Sequence, residues 1–342
     1  MILTYGRASA GIGVESNSGT ITNSGVISTH GFAADGISLN GSSNTNTVNN
    51  FGSITTSGDS AAGIFATGNS NTVINTGSIT TSGNSAVGVL VAGDSNVVTN
   101  SGSIISKQSY AVLFDGSGNT FNISNNFMAG GINMGTEGTV NIVTGTNYSK
   151  LFTFEGAVSS INGSGPVPVF INLQAQKAAT YDPTIFASST DALADMTNII
   201  SSTIPGHFNG TDSQHPLWAR GFGMTSNYSG TTATLDRSYV LSGVAMGYEA
   251  KRSQELTIGL LGGYGQTSLT ADGNTTQSFN NSSDGGFLGF YGQKRWGDTS
   301  VDFALYGGVQ SFQQQRYVND NLAYLGNSST KASYQGWWIA PE

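Results

Sequence analysis

The chain has 342 residues, enough for two domains of ordinary size. Only 9% of them are charged and the formal net charge is −8; the 12 Lys and Arg are scattered, so there is no basic patch for nucleic acid, and the low charge content argues against a disordered acidic tail. The 48 Gly, together with abundant Asn, Ser and Thr, exclude a mainly helical protein, because all four residue types are poor in helix interiors.

There is no cysteine, which suits a chain that crosses an oxidising periplasm unfolded. No apolar run approaches the ~20 residues a membrane helix needs. Met1 to Arg7 lacks a charged n-region followed by an apolar core, so no signal peptide is read there. A secreted protein would then have its true N-terminus upstream.

The first third repeats itself. Val48-Asn-Asn-Phe-Gly-Ser-Ile54, Val73-Ile-Asn-Thr-Gly-Ser-Ile79 and Val98-Thr-Asn-Ser-Gly-Ser-Ile104 recur at a fixed step, and Ile21-Thr-Asn-Ser-Gly-Val-Ile27 is a fourth copy. A second motif aligns on Gly11, Gly36, Gly63 and Gly88, and a third is a Gly-Asn-Ser-Asn type of turn at Gly68, Gly93 and Gly116. Each repeat thus carries three short apolar segments separated by turn residues, which predicts three strands and three turns per coil of a right-handed parallel β-helix. A coil cannot bury its own apolar side, but stacked coils share a continuous core. Ile27, Ile54, Ile79 and Ile104 are expected to form one interior ladder, and Val48, Val73 and Val98 another. Asn23, Asn50, Asn75 and Asn100 recur in register, as an amide ladder requires. The first alignable motif starts in mid-coil at Ser9, so the solenoid is expected to be cut from a longer one. After Lys107 the repeat decays, and 121–172 is read as terminal coils and a cap.

Residues 173–215 read as a linker. Asp191 to Ile200 places Leu193, Met196, Ile200 and Ile204 on one helical face. Thr190 is placed as the cap, Pro205-Gly206 as the stop, and the helix near 191–204.

From Pro216 the composition changes: all four Trp lie beyond it, as aromatic girdles would produce. Apolar and small or polar residues alternate. Val301, Phe303, Leu305 and Val309 oppose Asp302, Ala304, Tyr306, Gly308 and Gln310. Val240, Val244, Met246 and Tyr248 oppose Gly243, Ala245 and Gly247, with Leu241 out of place. Ile258, Leu260 and Tyr264 oppose Gly259, Gly263 and Gly265, with one further Leu out of place. Runs of about 9–11 residues are the length of a tilted membrane strand. Six strands are expected, near 216–226, 237–250, 255–269, 283–295, 299–314 and 331–340, with loops such as Ala271 to Asp284 between them. A water-soluble antiparallel sheet alternates as well, so pattern alone leaves both environments open.

Leu217-Trp-Ala-Arg-Gly-Phe-Gly223 resembles the first strand of the autotransporter β-domain, and Gly243 to Tyr248 with Gly259 to Tyr264 resemble the next two. The order β-helix, short helix, Trp-x-Arg-x-Phe-Gly is specific to that family. The resemblance covers about 9–172 for the passenger and 216–342 for the barrel. It implies an all-β chain: a parallel β-helix, a linker helix and an antiparallel membrane β-barrel of which six strands are about half. It implies type V secretion, with the helix in the pore and the passenger at the cell surface. Trp218, Arg220, Phe222 and Gly223, with Leu193, Met196 and Ile200, would be the residues of translocation and anchoring. Outer-membrane lipid, the barrel-assembly machinery and a surface or matrix ligand would be the partners. Some relatives cleave themselves between two Asn in the pore helix; here Asn198 precedes Ile199, which does not support cleavage. An unclosed sheet leaves backbone groups unpaired in lipid, so this segment by itself is not expected to insert.

No catalytic constellation stands out. His30, His207 and His215 are the only histidines, and the latter two read as exposed linker polarity. Without cysteine, zinc sites are disfavoured, and no cofactor or metal is implied. Gly58-Asp-Ser60 and Gly93-Asp-Ser95 resemble an esterase nucleophile motif but occupy turns and lack a His partner. The alternatives to a structural or adhesive surface passenger are a secreted β-helical polysaccharide-active enzyme and a soluble all-β structural protein. The first needs an acid cluster on one face, whereas Asp35, Asp59, Asp94 and Asp115 read as turn or strand-end residues. The second needs the absence of an outward apolar band.

Overall fold

The structure is a computed structural model that describes residues 1–341 apart from 16–17, 41–44, 125–126, 146–148, 209–215, 252, 254 and 272–278. His215 and most of the predicted loop after Ala271 therefore lie outside the described residues. The chain divides into two units: Met1–Asp182 with Val318–Ser328, and Pro183–Tyr317 with Ser329–Glu342.

The first unit is a parallel β-solenoid. Three strands per coil stack on their counterparts: Ser53–Thr56 on Ser78–Thr81, Ile64–Thr67 on Val89–Ala92, Thr72–Asn75 on Val97–Asn100. The period-2 alternation of these strands sends one set of side chains inward. Ile27, Ile54, Ile79 and Ile104 are paired in register and almost wholly buried. The Val48–Val73–Val98 ladder continues through Phe121, Val140 and Ile161. A third ladder, Ile37, Ile64, Val89 and Val112, is fully buried. Each such side chain contributes about 1.5–3 kcal/mol by leaving water.

Polar ladders run beside the apolar ones. Asn23 donates to Asn50 at 2.8 Å, Asn50 to Asn75 at 2.7 Å and Asn75 to Asn100 at 2.8 Å. The ladder ends there because Ile123 takes the next position, and the Asn100 amide nitrogen has no acceptor. A second ladder lies at the turn: the backbone N–H groups of Gly19, Asn46, Asn71 and Asn96 donate to the side-chain oxygens of Asn46, Asn71, Asn96 and Asn119 at 2.7–2.9 Å. The coils sit so close that a Cβ on Gly77 would lie 2.0 Å from the Gly52 carbonyl oxygen.

Where the repeat decays, strand Ser103–Asp115 shifts register against Phe127–Asn133. The last strands turn antiparallel: Lys177–Thr180 pairs with both Lys150–Thr153 and Val169–Asn172. Residues 173–182 are therefore part of the solenoid unit and not linker, because Ala178 enters the buried core.

The second unit is one helix and a six-stranded antiparallel meander. The helix spans Thr184–Phe208, longer than predicted at both ends. Thr190 is not its cap: its hydroxyl donates back to the Phe186 carbonyl from inside the helix. Pro205 does not stop it either, since a proline near a helix end forfeits one backbone donor and the remaining turn still closes. Strands Leu217–Tyr228, Arg237–Lys251, Leu256–Ala271, Phe279–Trp296, Thr299–Asp320 and Asn327–Pro341 pair in chain order. Several exceed the predicted lengths, because Asn-, Gln- and Ser-rich ends that read as loop continue the ladder.

Candidate functional site

The register of the meander sorts every strand residue onto one of two faces. One face carries Trp218, Phe222, Leu241, Leu261, Phe287, Tyr291 and Tyr306, and these bury against the helix. Ala192, Met196, Ile200 and Ile204 recur every fourth residue, so they form one stripe along the helix, and all four are buried there. Leu193 sits on the flank of the stripe, half-buried. Leu241 and Leu261, the two leucines that break the sequence alternation, are buried beneath the helix. They are exceptions because this face is partly filled by apolar helix and not by water. Glycines make room: a Cβ on Gly265 would lie 2.9 Å from the Met196 sulfur, and one on Gly263 would meet the Phe287 ring.

Polar contacts fix the helix in register. Asp191 forms an ion pair with Arg237 at 2.6 Å, and the Arg237 guanidinium stacks 4.8 Å over the Tyr228 ring. Asp195, one turn on, accepts hydrogen bonds from the hydroxyls of Tyr239, Ser226 and Tyr228. Tyr306 donates to the Thr197 carbonyl at 2.9 Å and its hydroxyl pairs with Ser201 at 2.7 Å. Asn281 donates to Ser189 at 2.9 Å. These groups span the helix from Ser189 to Ser201, so the seat is specified in both rotation and height.

The sequence-predicted residues divide accordingly. Trp218, Arg220 and Phe222 lie on the helix-facing side with Met196 and Ile200; Trp218 donates to the Tyr291 hydroxyl at 2.6 Å. Gly223 lies on the opposite, exposed face, paired with Ser242. The Asp191, Asp195, Arg237, Tyr239 and Tyr306 contacts were not anticipated. Their only sequence signal is the i,i+4 spacing of the two aspartates; their partners come from strands that only the fold brings together.

The second face is apolar and exposed. Leu217, Val240, Met246, Tyr248, Leu260, Leu288, Phe290, Val301, Leu305 and Val309 all point away from the helix, with Leu288 at 77% and Leu260 at 66% exposure. This contiguous band is far larger than the scattered apolar residues usual on a soluble surface. Among the described residues, no cluster of His, Asp or Glu could hold a metal ion, and no helix is long and apolar enough to cross a membrane.

A family model described as Autotransporter beta-domain matches residues 217–340. No curated protein and no solved structure matches the chain.

Proposed function

We infer, from a chain whose residues 217–340 belong to the autotransporter β-domain family and follow a β-solenoid, that the meander is the lipid-embedded part of an outer-membrane translocator. In this reading it carries the solenoid to the cell surface and anchors it there. The observation that supports this best is the two-sidedness of the sheet. A water-soluble sheet covers its apolar face; this one exposes it and seats a helix on the other, as a membrane strand set with lipid outside and a filled interior requires. Exposed Leu260 and Leu288 cost free energy in water and gain it in lipid.

The solenoid is then a surface passenger with a structural or adhesive role. Its outward strand faces carry columns of hydroxyl and amide groups, such as Thr20, Thr47 and Thr72. Such a face offers hydrogen bonds to a surface or matrix ligand without an enzyme's converging groups. Outer-membrane lipid and the machinery that inserts barrels are the partners this reading needs.

The test is to express the gene's full product in a Gram-negative host and isolate outer membranes. Gel mobility is compared before and after boiling, and intact cells are treated with protease. A heat-dependent shift together with surface cleavage of the solenoid is the expected result. A periplasmic product with no shift would overturn the membrane reading and leave the solenoid alone standing.

A further inference from the structure

The outward face of the meander is not apolar along its whole height. In strand Phe279–Trp296 the outward side chains run from Trp296 and Lys294 at one rim through Phe290 and Leu288 to Gly286, and then become Asp284, Ser282 and Asn280. At ~3.3 Å per residue and a tilt of about 40°, the stretch from Trp296 to Gly286 rises about 25 Å, the height of the apolar band on a membrane barrel. The side chains beyond Gly286 therefore stand clear of the hydrocarbon. The paired strands change at the same level: Leu260 and Tyr264 give way to Gln266 and Ser268, and Leu305 and Val309 to Ser311 and Gln313. Tyr264 marks the border, its hydroxyl donating to Asp284 at 3.0 Å.

This polar end lies on the cell-surface side in the membrane reading above, on which the inference rests. The first turns of the helix are there: Asn281 bonds Ser189 and Arg237 pairs with Asp191, whereas Ser201 bonds Tyr306 further down. The chain enters the helix from the solenoid, the part carried to the surface. The connections at this end, 229–236 and 272–278, are longer than 252–255 and 297–298 at the other, as in barrels whose long loops are extracellular.

A groove of about 550 Å³ opens on the polar part of this face. Four strands line it, with the exposed side chains of Ser268, Asn280, Ser282, Gln313, Lys331 and Ser333. Amides and hydroxyls donate and accept, which matches the hydroxyls of a sugar. Lys331 adds an ammonium that makes no ion pair among the described residues. Leu260, Leu288 and Leu305 lie below the groove on the same face of the same strands. A free sugar or a free phosphate would have no use for that apolar floor; a lipid has.

We propose that this groove binds the headgroup of an outer-leaflet glycolipid, a sugar carrying phosphate, whose acyl chains lie on the apolar band beneath. The amides and hydroxyls take the sugar hydroxyls, Lys331 takes a phosphate oxygen, and the leucines take the chains. The bound lipid joins strands Phe279–Trp296, Thr299–Asp320 and Asn327–Pro341 at the membrane surface.

The test uses the full gene product, purified from outer membranes as the heat-shifted form with its lipid exchanged for detergent. The probe is the phosphorylated, acylated glycolipid extracted from the host's outer membrane, with phosphatidylglycerol and inorganic phosphate as comparison arms. Saturable glycolipid binding is expected. It should weaken at least about ten-fold in Lys331→Glu and in Asn280→Ala/Gln313→Ala, because hydrogen bonds to the headgroup are lost. Thr299→Glu, exposed at the opposite rim of the same face, should bind like its parent. All three variants should keep the heat shift, since the substituted side chains are exposed; if Lys331→Glu loses it, Lys331→Gln takes its place. A heat-shifted parent that does not bind the glycolipid, groove variants that bind it as tightly as the parent, or phosphatidylglycerol bound equally well would overturn the site. Displacement of the glycolipid by inorganic phosphate alone would reduce the groove to an anion site and overturn it too. A parent without any heat shift removes the membrane reading first, and the groove's occupant with it.

Discussion

The solenoid and the meander are both β-structures rich in Gly, Asn, Ser and Thr, yet they bury opposite things. In the solenoid, isoleucine and valine ladders turn inward and hydroxyl and amide columns face out. In the meander, leucine, valine and aromatic residues face out, and the opposite face holds glycines, tyrosines and a helix. Period-2 alternation is common to both and does not say which face is wet. What separates them is bulk. Every solenoid coil must fit against the next at strand spacing, so glycine recurs where backbones nearly touch. The meander uses glycine beneath aromatic rings and helix side chains, and some of its outward glycines, such as Gly221 and Gly286, have space.

The largest expected effect tests that difference. Gly77→Ala puts a methyl group 2.0 Å from the Gly52 carbonyl oxygen, so the coils must separate, and we expect a loss of roughly 4 kcal/mol or more, above the usual overpacking range. Gly221→Ala on the outward face of the meander meets nothing nearer than 3.9 Å and should be within about 0.5 kcal/mol of its parent. Urea unfolding followed by limited proteolysis of each unit measures both. Equal effects would mean that glycine plays one role throughout.

Two neighbouring leucines sharpen the contrast within the meander. Leu261 is buried against the helix and Leu260 is exposed on the other face. Leu261→Ala leaves a cavity under the helix and should cost about 3 kcal/mol, read as a lower unfolding temperature of the inserted protein. Leu260→Arg places a charge in lipid at about 2–4 kcal/mol, read as a drop in the heat-shifted fraction, whereas in water it would be neutral. A Leu260→Arg variant that inserts as well as its parent would break the lipid assignment of that face.

Within the solenoid, Asn75→Ala removes the acceptor of Asn50 and the donor to Asn100. Both amides are buried; Asn50 keeps only a long bond from its amide nitrogen to the Ser78 carbonyl at 3.4 Å, so the cost should be about 2–3 kcal/mol. A loss no larger than that of an outward Thr80→Ala would show that the amide ladder follows the stack and does not hold it.

Much of this was legible in the chain before folding. The repeat places the Ile, Val and Asn ladders because identical residues at a fixed step must stack, and the six strands follow from alternation. The helix face was legible at Met196, Ile200 and Ile204 from their spacing alone. Its true length was not, since Thr190 and Pro205 look like boundaries locally and are overridden by burial of the longer helix on the sheet. The apparent misfits Leu241 and Leu261 could not be explained from the strand pattern, because their partner is the helix. The turn ladder of Asn71, Asn96 and Asn119 was present in the Gly-Asn-Ser-Asn motif, but a turn residue and a buried ladder residue have the same spelling. The Asp195 seat joins residues far apart in the chain, and no local pattern announces it.

The smallest effect concerns pH. Lys150 is almost wholly buried, and burial pushes its ammonium down to about 8 from the ordinary 10.5. Below about pH 8 both folded and unfolded chains hold the proton, and the folded solenoid bears the full cost of the buried charge. Between about pH 8 and 10.5 the folded chain releases the proton while the unfolded chain keeps it, so stability rises with pH through that window and levels off above it. The shift sets a ceiling of about 3 kcal/mol, and relaxation around the amine should cut the observed rise to about 1 kcal/mol. Lys150→Met should be more stable at pH 7 and lose that part of the slope. Urea titrations of parent and variant at pH 7, 9 and 10.5 make the comparison. A parent whose stability runs parallel to the variant's from pH 7 to 10.5 would mean that Lys150 is held as a charged group by its neighbours, and that the solenoid's cap tolerates buried charge in a way its regular coils, whose buried polar groups are amides and hydroxyls, do not.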